Sequence, residues 1–427
     1  MDRKITVLFV PLSISIALIA QQAATEAPTG FDTPTLSDNP GSQSVSNGIV
    51  QPPGDTFALD QSQFERKHSP SGPVGALGLG PVYNATACSD CHQNVVTGAG
   101  SQFTELRAGH LDANGNFANP VIPINGGNNA IMGRSIVNDR AICEAASEHL
   151  PDSENIHTLR AVLNTLGDGF VEAVADGTFL AIAANQPAVS HGQIHGEVVQ
   201  IPILEAPGQM GIGKFGWKDQ QPTLLSFAGD AYLMEMGVTS RLRPTEVTQV
   251  CEVNTGIEDV PDNLGLANID HFAQFIRGTK APPRDNALAA TPDALAGHDL
   301  FVSIGCVTCH VETLTTAQAG TVINGGTYKV PEAIGNKIFH PFGDFLLHNV
   351  GTGDGIVQGG PPDTANKLRT APLWGLHIRS RFMHDLASLT LDDAIERHKG
   401  EAEGVTGAYS ALSPAQQVQL ITFLKSL

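Results

Sequence analysis

Cys88-Ser89-Asp90-Cys91-His92 and Cys306-Val307-Thr308-Cys309-His310 are two copies of one pattern, C-x-x-C-H, in a 427-residue chain that holds six cysteines. Two thiols one helical turn apart, followed at once by an imidazole, suit covalent attachment of a haem. The sulfurs add to its two vinyl groups and the histidine faces the iron. A C-x-x-C pair also serves as a thioredoxin-like redox site or as half of a zinc site. Two complete C-x-x-C-H copies favour haem over both rivals, and haem is attached covalently outside the cytoplasm. The sequence therefore predicts two covalently bound haem c groups. Cys88, Cys91, Cys306 and Cys309 are the tethers, and His92 and His310 the proximal iron ligands.

The N-terminus agrees with export. Met1-Asp2-Arg3-Lys4 precedes an apolar run from Ile5 to Ala20, with small residues at Ala20, Ala23 and Ala24, which predicts a secretory signal peptide over residues 1–24. The alternative is a retained anchor, but Pro11 breaks the run, which falls short of the ~20 apolar residues of a span. No later stretch is long and apolar enough, so the expectation is a periplasmic protein with no membrane span after signal cleavage. Residues 25–75 are rich in Gly, Pro, Ser, Asn and Gln and read as a flexible leader and loop. Lys and Arg number 24 against 43 Asp and Glu, a net charge of −19 that disfavours nucleic acid or an anionic membrane as partner. Charged residues at 16% and hydrophobic ones at 41% exclude a charge-rich disordered chain. No Walker loop or G-x-G-x-x-G fingerprint stands in strand–helix context, which argues against a nucleotide cofactor. Composition carries no sign of oligomeric state.

Around the second motif, Thr291-Pro292 reads as an N-cap with Pro at the first helical position, and Ser413-Pro414 opens a helix with Val418, Ile421 and Leu424 on one face. Two terminal helices around a tethered haem give the usual cytochrome c frame. The expected fold is mainly α: two c-type cytochrome-like domains, each with one covalent haem, long loops and little β structure. The N-terminal haem domain, with insertions, is placed at 76–286 and the C-terminal one at 287–427. Thr390 with Asp393 reads as a capping box, and Leu391, Ala394, Ile395 and His398 fall on one helix face. His398 is thus either a hydrogen-bonded core residue or a sixth haem ligand, and ligation is favoured, with Met383 the rival. The helix from Thr223 carries Leu224, Phe227, Ala228 and Ala231 on one face, and Glu235, three turns on, joins them. A carboxylate there is either salt-bridged or functional. Cys143 and Cys251 are expected to pair in an oxidising compartment, closing a loop of about 108 residues.

With these motifs, Phe345-Leu346-Leu347-His348-Asn349-Val350-Gly351 and Leu368-Arg369-Thr370-Ala371-Pro372-Leu373-Trp374-Gly375 make the chain resemble the bacterial di-haem cytochrome c peroxidase superfamily. Lys214-Phe215-Gly216-Trp217-Lys218 with Gln221-Pro222-Thr223 is similar to its di-haem oxidoreductase branch, described as thiol oxidoreductases. The resemblance implies a peroxide site at the N-terminal haem and an electron relay through the C-terminal one. It makes Trp217 the tryptophan between the haems and Glu235 the acid–base group that moves a proton between the oxygens of peroxide. It implies a displaceable sixth ligand for the N-terminal haem, His195 or His191, and calcium between the domains. His398 replaces the family's axial Met, which should lower that haem's potential, and Phe227 replaces a Gln near the peroxide site. The expected partners are a small cytochrome c or cupredoxin as electron donor or acceptor, and peroxide or a thiol or protein as substrate. The rival readings are a di-haem electron carrier without peroxidase activity and an oxidase of a thiol or protein substrate.

Overall fold

The computed structural model describes residues 23–30, 45–70, 78–252 and 256–427. The expected signal peptide, apart from residues 23 and 24, and positions 31–44 and 71–77 of the expected leader lie outside them. The helices run, in order, α1 Phe57–Glu65, α2 Asp168–Glu172, α3 Asp176–Val189, α4 Leu224–Met236 and α5 Asn268–Arg277. Then come α6 Asn286–Ala289, α7 Pro292–Ser303, α8 Leu391–Glu396, α9 Glu403–Ser410 and α10 Pro414–Leu424.

The expectation of a mainly α fold with little β structure is overturned. The described residues are only 30% helical, with 17% strand, spread over seven small sheets. The largest has four strands and is built on Thr104–Leu111, which pairs with Ile156–Ala161 over six residues and also with Phe117–Ala118 and Ile136–Val137. The reason is physical. Most strands are two or three residues long, too short for a period-2 pattern, and their hydrogen bonds are closed by tight turns. Two such turns are alike: Asn125-Gly126-Gly127 joins Ile122–Ile124 to Asn129–Ile131, and Asn324-Gly325-Gly326 joins Val322–Ile323 to Tyr328–Lys329. Asn125 and Asn324 have φ of 49° and 54°, and the glycines after them are also left-handed, as Asn-Gly hairpin turns require.

The cytochrome-like frame does form around the second motif. Thr291 caps α7 through Ala294 N–H, and Ser413 caps α10 through Gln416 N–H. The two helices cross so closely that a Cβ on Gly297 would lie 2.0 Å from the Gln419 carbonyl oxygen. Phe301 and Phe342 pack with Leu420, Phe423 and Leu424 into a core of their own. The larger core draws on both sides of position 287, joining Phe170, Phe275 and Tyr232 to Phe339, Phe345 and Trp374. The early segment contributes too. Thr25–Glu26 pairs in parallel with Lys337–Ile338, and Ala27, Val45 and Ile49 are buried in that core. Cys143 and Cys251 are joined as a disulfide, with Cα atoms 6.5 Å apart.

Candidate haem sites

In the second motif, Gly305, with φ of 99°, ends α7 and opens a 3-10 turn over Cys306–Thr308, and His310 N–H donates to the Cys306 carbonyl at 3.0 Å. Both thiols and the imidazole reach a cavity with an empty volume of about 1370 Å³. Phe301, Val350, Leu373, Leu391, Ile395 and Leu424 make its walls largely apolar.

His398 enters the same cavity from just beyond α8. Thr390 accepts from Asp393 N–H to start that helix, as the sequence suggests. The rings of His310 and His398 meet edge-on, with centroids 6.5 Å apart and planes inclined at 64°. Each ring has one nitrogen engaged. His310 Nδ1 donates to the Phe342 carbonyl at 3.0 Å, and His398 Nδ1 to the Ala394 carbonyl at 2.7 Å. This fixes the tautomer that leaves Nε2 with a lone pair toward the cavity. Burial, reinforced by the neighbouring ring, pushes His310 down to about 4. Burial also lowers His398, against the Ala394 carbonyl. Both are therefore neutral imidazoles at neutral pH. Met383 lines the cavity as well, with a left-handed φ of 68°.

Charged groups complete the wall. His348 is held between two carboxylates, with Nε2 2.8 Å from Asp344 and Nδ1 2.9 Å from Glu401. Burial would lower its pKa, but the two carboxylates raise it well above the ordinary value, so it is an imidazolium. Arg369 and Arg379 reach the same wall.

In the first motif, the strand Val82–Tyr83 leads to a 3-10 turn over Cys88–Asp90. Asp90 closes it by accepting from Thr86 Oγ1 at 2.6 Å and from Ala87 N–H at 3.2 Å. Phe64 packs edge-on to His92 at 6.2 Å. His92 Nδ1 is buried without a hydrogen bond of ordinary geometry. Burial pushes this imidazole down to about 4, only partly offset by the Leu163 carbonyl and the charge of Glu105. A buried neutral imidazole with an unsatisfied nitrogen is a fitting metal ligand. Burial pushes the thiols of Cys88, Cys91 and Cys306 up to about 12. The residues of both motifs fit haem.

Glu235 lies in the last turn of α4, and the N-terminus of that helix is firmly placed. Thr223 caps it through Ser226 N–H at 3.0 Å, and buried Glu172 accepts from Leu224 N–H at 2.8 Å. At the other end, Asn84 and Ala85 N–H donate to the Glu235 carbonyl, and Asn84 Nδ2 donates to its carboxyl at 3.0 Å. This ties the helix to the segment entering Cys88. Burial, then the adjacent Glu105, pushes Glu235 up to about 8. Glu105 itself sits on Thr104–Leu111, with Arg107 Nε 2.6 Å away. It was missed in the sequence, where it is one charge in an unremarked strand.

Trp217 is 8% exposed and lines the cavity of the second motif. Its Nε1 donates to the Ala161 carbonyl at 2.8 Å, two residues from Leu163 beside His92. His191 and His195 are exposed. His195 N–H donates to Glu401, on the side of His348 and the second motif, and the structure does not bring either histidine together with His92.

The family model for "di-haem oxidoreductase, putative peroxidase" matches residues 136–427. A search of curated proteins finds no match. Among solved structures, hydrazine synthase of Kuenenia stuttgartiensis is 14% identical, covering 98% of this chain and 100% of that one, with a TM-score of 0.40. A MauG-like protein associated with microbial copper homeostasis is 18% identical over 50% of this chain and 71% of its own, with a TM-score of 0.32. The diheme peroxidase BthA of Burkholderia thailandensis is 16% identical over 51% and 67%, also with a TM-score of 0.32. The family match spans more than half of the sequence, and the chain belongs to the di-haem oxidoreductase family, whose cofactors are haems.

Proposed function

We propose that this chain is a periplasmic di-haem c-type oxidoreductase that reduces peroxide at its N-terminal haem and receives electrons through its C-terminal haem. The observation that carries this reading is the asymmetry of the two sites. His310 has a second imidazole edge-on to it, His398, whereas the neighbourhood of Cys91 and His92 contains a raised carboxyl, Glu235. When bound, haem supplies an iron that exchanges electrons and, where a coordination position is open, takes up peroxide.

The chain's own residues divide the remaining work. Cys88 with Cys91, and Cys306 with Cys309, would tether the two haems, and His92 and His310 would ligate the irons. His398 would supply a second imidazole to the group held at the second site, suiting it to electron transfer, and Met383 would be left to packing. Glu235 holds a proton at neutral pH and presents it beside the first motif, as a general acid with a pKa near the operating pH does best. Trp217 links the sites, with its ring on the wall of the second cavity and its Nε1 on the Ala161–Leu163 segment next to His92. A small cytochrome c or cupredoxin is the electron donor. Among the described residues no helix is long and apolar enough to cross a membrane.

The test is to poise the holoprotein half-reduced, add hydrogen peroxide, and follow EPR and absorption together. The expected result is a high-spin ferric signal that disappears with peroxide, slowed about 10²–10⁴-fold in Glu235→Gln. Two low-spin signals unmoved by peroxide would make the protein an electron carrier instead.

A further inference from the structure

Glu235 does not act alone on its face of the site. The carboxyls of Glu105 and Glu235 are neighbours that act on each other's proton affinity. Two carboxyls that close share a proton, because their like charges resist ionising together.

The neighbours decide where the proton rests. Arg107, buried on the same strand, stands 2.6 Å from Glu105 Oε1, and Arg160 adds positive charge on that side. The Glu235 carboxyl accepts from the neutral Asn84 amide at 3.0 Å. Burial favours protonation of both groups. For Glu105 the charge of Arg107 overcomes it and holds the carboxyl below its usual range. For Glu235 the like charge of Glu105 adds to burial, and Arg107 offsets only part of it. Other charges face the pair: Asp230 acts on Arg107, Glu235 on Arg134, and both carboxyls on the Cys91 thiol. Through space, Glu105 also acts on His92, Glu235 on Cys88, and Arg140 on Cys91.

We propose that Glu105 is a positioning residue of the acid–base site: anchored by Arg107, it keeps the transferable proton on Glu235, beside the first C-x-x-C-H motif. When the Glu235 O–H bond breaks and a substrate oxygen takes the proton, two adjacent carboxylates remain. Their repulsion draws a proton back from solvent and resets the site. The inference rests on the reading of Glu235 as the acid–base group.

Infrared spectroscopy of the full holoprotein against pH tests it, read beside the pH profile of the peroxide reaction. Wild type should show a protonated-carboxyl band that shifts in deuterium oxide, fades as pH rises through about 8, and is absent from Glu235→Gln. In Glu105→Gln the midpoint of that band, and the alkaline limb of the rate profile, should move down by about one pH unit or more, the effect of removing one like charge from a shared site. Arg107→Gln should move both upward. A purely structural role for Glu105 predicts no such opposed shifts. Should Glu105→Gln fail to fold, Glu105→Asp, which keeps the charge, together with Arg107→Gln decides: a near-wild-type midpoint in the first and a raised one in the second support the pair. A midpoint unmoved in Glu105→Gln, or in Arg107→Gln, overturns it. Normal peroxide reactivity in Glu235→Gln, with the band still shifting in Glu105→Gln, would sink the acid–base reading and leave the pairing intact.

Discussion

Arg277→Met should be among the most damaging single substitutions away from either haem motif. Glu172 is 0% exposed, and its two oxygens take four hydrogen bonds: Arg277 Nε at 2.6 Å, Arg277 Nη2 at 2.9 Å, Leu224 N–H at 2.8 Å and Asn324 Nδ2 at 2.9 Å. The Arg277 guanidinium also lies 4.0 Å from the centre of the Tyr328 ring. Removing the only cation among these partners leaves a buried carboxylate uncompensated, which costs about 3–5 kcal/mol. Loss of the ring contact adds roughly 1 kcal/mol. Urea unfolding followed by circular dichroism measures the sum. Adding Glu172→Leu should recover only part of it, since Leu224 N–H and Asn324 then lose their acceptor at about 1–3 kcal/mol each. The pH dependence has a definite sign. Burial raises Glu172, but Arg277 and the hydrogen bonds bring it below its usual value. Its contribution is therefore complete above the unfolded carboxyl pKa of about 4.3 and is lost as pH falls through the folded value. The gap between wild type and Arg277→Met should be constant near neutrality and narrow in acid. A loss under about 1 kcal/mol at pH 7 would refute the reasoning, because the carboxylate would then have found water or another cation.

Other expectations follow from the sites. His398→Ala should turn the C-terminal haem from low-spin to high-spin in the EPR spectrum, whereas Met383→Ala should leave it low-spin; the reverse pattern would make Met383 the ligand. Trp217→Phe keeps the packing against the second cavity but loses the hydrogen bond to Ala161, and should slow electron transfer between the haems in stopped-flow absorption without changing either spin state. Replacing Cys143 and Cys251 together by Ser should lower stability by roughly 4–5 kcal/mol in the chain-entropy model for a loop of this length, read from the urea midpoint. An unchanged midpoint would mean that the loop is already constrained by its packing.

What the sequence revealed, and what it hid, follows the range of the forces involved. The caps at Thr223, Thr291, Thr390 and Ser413 are local, a hydroxyl reaching an N–H three residues on, and each starts a helix where the sequence places one. The two C-x-x-C-H motifs are legible for the same reason. The four-stranded sheet was not, because Thr104–Leu111 gains its identity from Ile156–Ala161, some fifty residues later, and neither segment alternates cleanly in hydrophobicity. The paired Asn-Gly-Gly turns at 125–127 and 324–326 were a missed signal, since Asn-Gly between short apolar runs is a hairpin mark. Glu235 was found from its helical face, but Glu105 was not. A carboxyl pair across a strand and a helix has no sequence spacing to betray it.

The central claim, that each C-x-x-C-H motif carries a haem through two thioether bonds, is tested most directly by the mass of the intact polypeptide. The protein should be made in a host that attaches haem to exported chains, then denatured in acid and separated by chromatography before weighing. The account predicts a mass increased by two haems over the processed chain, falling to one in Cys88→Ser/Cys91→Ser and to one in Cys306→Ser/Cys309→Ser. A chain that weighs the same as its bare polypeptide after denaturation would contradict it.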